Sequence, residues 1–169
     1  MSTVSTEEDV REACLQLLTV RQRSRAELEQ RLRRKGFEDD HIAPVLDKLT
    51  EVELIDDQAF ARTWVQSRHE YSGKGKRALA AELRLKGVAD SVAAEALSHV
   101  DEESEELRAR ELVRKRLRTL TVDDTAAATR KLVGMLARRG YSQGLAFRVV
   151  SDELTAAGAA TDEYTEDSP

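Results

Sequence analysis

Leucine recurs along this chain in a fixed setting. Two leucines stand four apart, a basic residue follows three later, and glycine and an apolar residue come next. Leu28, Leu32, Lys35, Gly36 and Phe37 form the first instance, within Ser24–Phe37. Leu79, Leu83, Lys86, Gly87 and Val88 form the second, within Lys76–Val88, and Leu132, Leu136, Arg139, Gly140 and Tyr141 the third, within Arg130–Tyr141. Leucines at i and i+4 share one helix face. A cation in the last turn complements the carbonyl end of the helix dipole. Glycine takes the left-handed residue that ends a helix, and the apolar residue after it packs back on the last turn. The pattern therefore predicts a short helix with its C-terminal turn, present three times. In the first copy Ser24 and Glu27 have capping-box spacing. The glycines are 51 and 53 residues apart, a period that marks repeated supersecondary units.

Each of these helices is flanked by two others. Before them run Val10, Cys14, Leu17 and Leu18; Phe60, Ala61, Trp64 and Val65 after Asp56 and Asp57; and Leu107, Leu112, Val113, Leu117 and Leu120. After them run Ile42, Val45, Leu46 and Leu49, with Asp40 as N-cap and Pro44 near the first turn; Val92, Ala96, Leu97 and Val100 after Asp90; and Leu145, Val149, Val150 and Leu154 after Ser142. The expected fold is all-α: three tandem three-helix repeats, about nine helices, in an elongated, curved array. The expected boundaries are a disordered acidic N-terminus over 1–9, repeats over 10–53, 54–100 and 101–158, and a disordered acidic tail over 159–169. Trp64 is expected in the core.

Composition agrees with the pattern. Of 169 residues 35% are charged and 4% aromatic, with 8 glycines and 2 prolines, a balance that favours helix over strand. The formal charge of −5 hides its distribution. Glu7, Glu8, Asp9, Asp162, Glu163, Glu166 and Asp167 lie at the two ends, and residues 10–158 hold 27 basic against 25 acidic residues, a net of +2. Within that body the cations cluster: Arg21, Arg23 and Arg25; Arg31, Arg33, Arg34 and Lys35; Lys74, Lys76 and Arg77; and Arg108, Arg110, Arg114, Lys115, Arg116 and Arg118. Any one cluster is explained by a solvated helix face. Four together point to a polyanion or an acidic protein surface as partner.

Catalytic chemistry finds no support. His41, His69 and His99 have no metal-ligand spacing. The single cysteine, Cys14, lies on an apolar helix face and suits a core position. Ser72-Gly73-Lys74-Gly75-Lys76-Arg77 lacks the spacing and preceding strand of a phosphate loop. Its glycines are expected to loosen a junction and present Lys74, Lys76 and Arg77 outward. No enzyme, no metal and no cofactor are expected. The polar, acidic start and the lack of a roughly 20-residue apolar run predict a cytoplasmic protein without membrane contact.

The stretch Leu54-Ile55-Asp56-Asp57, continuing through Phe60, Ala61, Trp64, Val65 and Arg68, resembles the signature helix of the bacterial RecX regulatory proteins. Leu17, Leu18, Arg21, Ser24, Glu27 and Leu28, followed by Leu32, Lys35 and Gly36, resemble that family's opening. The likeness covers about residues 10–155 and is least faithful in the third repeat. It implies tandem three-helix repeats. It also implies binding to the RecA recombinase, within the groove of its filament on DNA, with inhibition of recombinase, ATPase and coprotease activities. Such a protein modulates DNA repair, recombination and the SOS response.

Under that resemblance the residues expected to meet RecA or the DNA backbone are Arg21, Arg25, Arg34, Lys35, Arg68, Lys74, Lys76, Arg77, Lys86, Arg114, Lys115, Arg116, Arg138 and Arg139. Single- or double-stranded DNA is a further candidate partner, and the chain is expected to be a monomer. The rival reading is a DNA-binding module of tandem helix-turn-helix-like units, which salt-sensitive duplex binding without RecA would mark.

Overall fold

A computed structural model describes the backbone of residues 5–165 and the side chains of residues 5–158. Among the described residues there are nine helices and no strand: α1 (Glu7–Val20), α2 (Arg25–Arg34), α3 (Asp39–Glu51), α4 (Asp57–Ser72), α5 (Lys76–Leu85), α6 (Asp90–Leu97), α7 (Glu102–Leu117), α8 (Thr125–Arg138) and α9 (Gln143–Thr165). None is long and apolar enough to cross a membrane.

The helix ends follow the local rules. Thr6 and Asp9 close a capping box on α1, so Glu7, Glu8 and Asp9 are a first turn and not part of an unstructured end; residues 1–4 lie outside the described residues. Asp56 accepts from the Ala59 N–H at 3.1 Å and caps α4. Ser142 accepts from the Leu145 N–H at 3.3 Å and caps α9. Two predicted caps change. Ser24 accepts from the Glu27 N–H at 3.2 Å, but the Glu27 carboxylate turns to Arg21 instead of back to the cap. Helix α3 begins after Glu38 and already includes Asp40, and Pro44 lies in its second turn, where it removes one intrahelical bond. The α9 backbone runs to Thr165, past the expected tail boundary at 159. An alanine-rich stretch from Ala156 has the propensity to extend a helix. Residues 166–169 lie outside the described residues.

The chain forms two compact units that do not follow the repeats. One holds residues up to Trp64 and Ala81–Leu97; the other holds Val65–Ala80 and residues from Ser98. Both α4 and α5 are thus divided between units. In the first unit, α1, α2 and α3 pack mutually around Val10, Cys14, Leu17, Leu28, Leu32, Ile42, Val45, Leu46, Leu49 and Ile55. In the second, α7, α8 and α9 bury Ala109, Val113, Leu132, Val133, Leu136, Tyr141, Ala146, Val149 and Val150. Each fully buried leucine contributes roughly 1.5–3 kcal/mol. Cys14 is wholly inside, and burial pushes its thiol up to about 11. Leu107 departs from the pattern at 56% exposed, and Trp64, expected in the core, is half-buried.

All three glycine turns have one geometry. Gly36, Gly87 and Gly140 have φ of +94°, +73° and +99°. In each, the N–H after glycine donates to the carbonyl of the second leucine: Phe37 to Leu32 (3.2 Å), Val88 to Leu83 (3.1 Å) and Tyr141 to Leu136 (3.1 Å). The glycine N–H donates to Arg33, Arg84 and Ala137 respectively. This is the Schellman arrangement, which satisfies carbonyls the helix leaves unpaired.

Two of the turns receive the start of another repeat's helix. In the first unit Ser24, before α2, donates its hydroxyl to the Lys86 carbonyl at 2.6 Å, and a Cβ on Gly87 would lie 2.3 Å from the Cβ of Ala26. In the second unit Gly75, before α5, donates its N–H to the Arg139 carbonyl at 2.8 Å, and Arg77 donates to Gly140 at 3.1 Å. A Cβ on Gly140 would lie 2.4 Å from both the nitrogen and the Cβ of Ala78. Ser24 and Gly75 occupy one register, four residues before the first leucine of their motifs. Helix α8 departs from it. It starts at Asp124, so Ala128, the residue in that register, spends its N–H on the Asp124 carbonyl at 2.9 Å.

Gly36 differs from its two counterparts, because a Cβ there meets nothing within 4 Å. Gly140→Ala is therefore expected to lower stability by about 2–4 kcal/mol, combining left-handed strain with overlap, and Gly36→Ala by only about 1–2 kcal/mol from strain. Urea unfolding followed by circular dichroism separates them; equal losses would show that the seated turn is not close-packed.

Candidate protein-interaction surface

The basic side chains sort into those spent on the fold and those left at the surface. In the first unit Arg21 pairs with Glu27 and bonds the Gln22 carbonyl at 2.9 Å. Arg25 pairs with Asp47 at 2.7 Å and reaches Thr50 at 3.3 Å, while its own N–H donates to Asp57 at 2.8 Å. Lys86 lies 4.9 Å from the centre of the Trp64 ring and 3.8 Å from Glu27. The Trp64 indole N–H donates to Glu82 at 2.9 Å and its ring stacks near Phe60, centroids 5.9 Å apart. Trp64 is thus a half-buried platform for Lys86, held at one edge by a carboxylate. Arg34 and Lys35, at the end of α2, are exposed and have no hydrogen-bond or ion-pair partner through their side chains among the described residues. Arg33 beside them is held by Glu29 and Asp39.

In the second unit Arg114 holds the buried carboxylate of Glu153 at 2.9 Å, joined by Arg110 at 3.2 Å. Arg110 also bonds Glu106 and Asp152. Arg114 and then Arg110 hold Glu153 below the usual carboxylate range. This network ties α7 to α9, so Arg114 clamps the fold. Arg139 donates to the Ser72 carbonyl at 2.9 Å, Arg68 to the Ser72 hydroxyl at 3.1 Å and Arg116 to Thr119 at 2.8 Å. Lys74, Lys76, Arg77, Lys115 and Arg138 make no side-chain ion pair among the described residues. Lys76 and Arg77 stand in the field of Glu105, whose carboxyl is raised by burial and lowered in turn by these cations.

Gly73 and Gly75 do not loosen the junction. Both are buried. Gly73 gives its carbonyl to the Tyr141 hydroxyl at 3.0 Å, and a Cβ on Gly75 would lie 2.6 Å from the Gly140 carbonyl carbon. The glycines let two backbones touch, which fixes the junction instead of freeing it. Lys74 and Lys76 are half-buried, and only Arg77 of the three is exposed.

Charge clustering missed Arg130 and Lys131, both exposed, and the exposed apolar side chains Tyr71, Leu85 and Phe147. Helical spacing carried a signal for Leu85 and Phe147, which fall outside the stripes of their helices, but not for Tyr71, which shares the face of Trp64 seven residues earlier.

Comparison with known proteins decides the family. The first three-helix domain of RecX matches residues 11–49, the second 56–97 and the third 104–150. The chain belongs to the RecX family. It is 57% identical over 152 residues to the regulatory protein RecX of Mycolicibacterium smegmatis, covering 88% of this chain and 81% of that one. It is 54% identical to that of Mycobacterium avium, covering 92% and 90%. These RecX relatives are named as regulatory proteins, not as enzymes. The crystal structure of RecX from Lactobacillus salivarius has the same fold, with a TM-score of 0.80 at 24% identity, covering 86% of this chain and 95% of that one.

The RecX third-domain turn carries a titration signature. Burial pushes the Tyr141 phenol up to about 12. A folded-state value raised above the ordinary value of about 10 makes the folded state hold its proton longer. That stabilisation is complete below pH 10 and lost as pH rises from 10 towards 12. Tyr141→Phe should cost about 1 kcal/mol at pH 8 through the lost bond to Gly73, and should flatten the alkaline fall. Urea unfolding at pH 8 and 11.5 checks this; an alkaline fall as steep in Tyr141→Phe would remove Tyr141 as its source.

Proposed function

We propose that this protein binds the RecA recombinase filament on DNA and restrains it, inhibiting recombinase, ATPase and coprotease activities and so modulating DNA repair and the SOS response. The observation that carries the reading is relatedness along nearly the whole chain to regulatory RecX proteins, above half identity, through all three domains. The surface chemistry supports it. Arg34, Lys35, Lys74, Lys76, Arg77, Lys115 and Arg138 are the cations of the original set with neither a side-chain hydrogen bond nor an ion pair among the described residues, so acidic protein surface or phosphate backbone can take them without breaking the fold. Arg21, Arg25, Arg68, Lys86, Arg114, Arg116 and Arg139 act first as internal ties. Several weak contacts along a polymer add through effective concentration, which suits a cytoplasmic monomer that has no reaction of its own.

The test is RecA ATP hydrolysis on single-stranded DNA with the purified chain added below stoichiometry. Hydrolysis and strand exchange should fall, and the effect should weaken with salt between about 50 and 200 mM. Undiminished hydrolysis at equimolar protein would sink the proposal. Salt-sensitive duplex binding in its place would favour the helix-turn-helix reading.

A further inference from the structure

The starts of α2 and α5 are each seated on a glycine turn, while the turn at Gly36 has the same backbone and no helix start seated on it among the described residues. Its φ of +94° lies between those of the other two within a few degrees of Gly140, and its two Schellman bonds are made. What differs is the surroundings: at Gly87 and Gly140 a Cβ would strike an alanine at 2.3 and 2.4 Å, and at Gly36 it would meet nothing within 4 Å. We infer that the Gly36 turn is a docking seat for the acidic N-terminus of a partner's helix. The partner is the filament protein of the preceding section, so the inference rests on that reading.

The occupied seats define the chemistry of the occupant. The residue before the helix offers a donor to the carbonyl preceding glycine, as the Ser24 hydroxyl does to Lys86 and the Gly75 N–H to Arg139. A small residue follows within the first turn, Ala26 in one case and Ala78 in the other, and rests against the glycine. In the first unit an acid comes third in that helix, Glu27, facing Lys86. At the empty seat Lys35 stands where Lys86 stands, flanked by Arg31 and Arg34, all exposed. An acid in the first turn of the incoming helix answers this charge and favours its own helix dipole. The occupant is therefore a helix beginning with a serine-, threonine- or glycine-type cap, a small residue and an acid.

This chain's own third motif is a poor donor for the seat. Helix α8 starts a turn early, and the N–H in the donor register is used internally at Ala128. The start of α1 has Thr6 as cap, but places Glu8 and Asp9 at the two positions where the occupied seats have Ala26 and Ala78. That leaves a foreign helix as the better match.

The space around Gly36 supplies a selective variant. Asparagine tolerates positive φ, and a side chain there enters open solvent, so Gly36→Asn should fold with an unfolding temperature close to the parent's. It would nevertheless close the seat, since the occupied turns admit no Cβ. Binding is measured to RecA filaments assembled on single-stranded DNA with a non-hydrolysable ATP analogue, by fluorescence anisotropy of labelled chain, with sedimentation of the free chain in parallel. Gly36→Asn should weaken binding at least tenfold, and Lys35→Glu at least threefold. Parent-like affinity of folded Gly36→Asn overturns the docking seat while leaving the proposed function intact. Absence of filament binding by the parent chain removes both. A parent dimer that Gly36→Asn dissociates would assign the seat to a second copy and overturn the foreign-helix reading.

Discussion

A helix start resting on a glycine turn is the contact on which the order of these repeats depends. It works because glycine does two things at once. It adopts the left-handed conformation that closes the helix, and it has no side chain to hold the next backbone away. At Gly140 the second demand is severe, with Ala78 where a Cβ would be. Gly75 faces Gly140 from the other side, so two glycines meet back to back. The hydrogen bonds that cross this contact use a donor that any helix start leaves unpaired and carbonyls that any helix end leaves unpaired. The contact thus satisfies polar groups that would otherwise need water.

The same contact explains why compact units and repeats disagree. The start of α5 is held by the turn of α8, and its end receives the start of α2. One helix therefore serves two cores, with Leu79 in one unit and Leu83 in the other, both fully buried. A repeat read from periodicity is a unit of sequence. A unit of packing is set by what each half of a helix touches.

Electrostatics follow a similar division of labour. The fold uses arginine where a planar, multidentate donor is needed: Arg110 reaches three carboxylates, and Arg114 and Arg110 share Glu153. The cations without ion pairs include most of the candidate lysines, Lys35, Lys74, Lys76 and Lys115, whose compact charges on flexible stems suit adaptable contacts. Neighbouring cations can differ completely in role. Arg33 is tied twice and Arg34 not at all.

The sequence alone determined the helix count, the three leucine–glycine turns and the buried face of most helices. These depend on neighbours three or four residues apart, and spacing is enough to read them. It set Asp56 and Ser142 just ahead of apolar helices for the same reason, and both serve there as caps. What it could not reach was decided between distant residues. Glu27 left its capping box because Arg21 and Lys86 compete for it. Gly73 and Gly75 became a tight contact because Gly140 and Tyr141 meet them across some 65 residues. Arg114, still largely exposed, became a tie because Glu153 lies on the facing helix. Local propensity fixes which atoms are available to bond. Only the tertiary structure brings the partner that takes them.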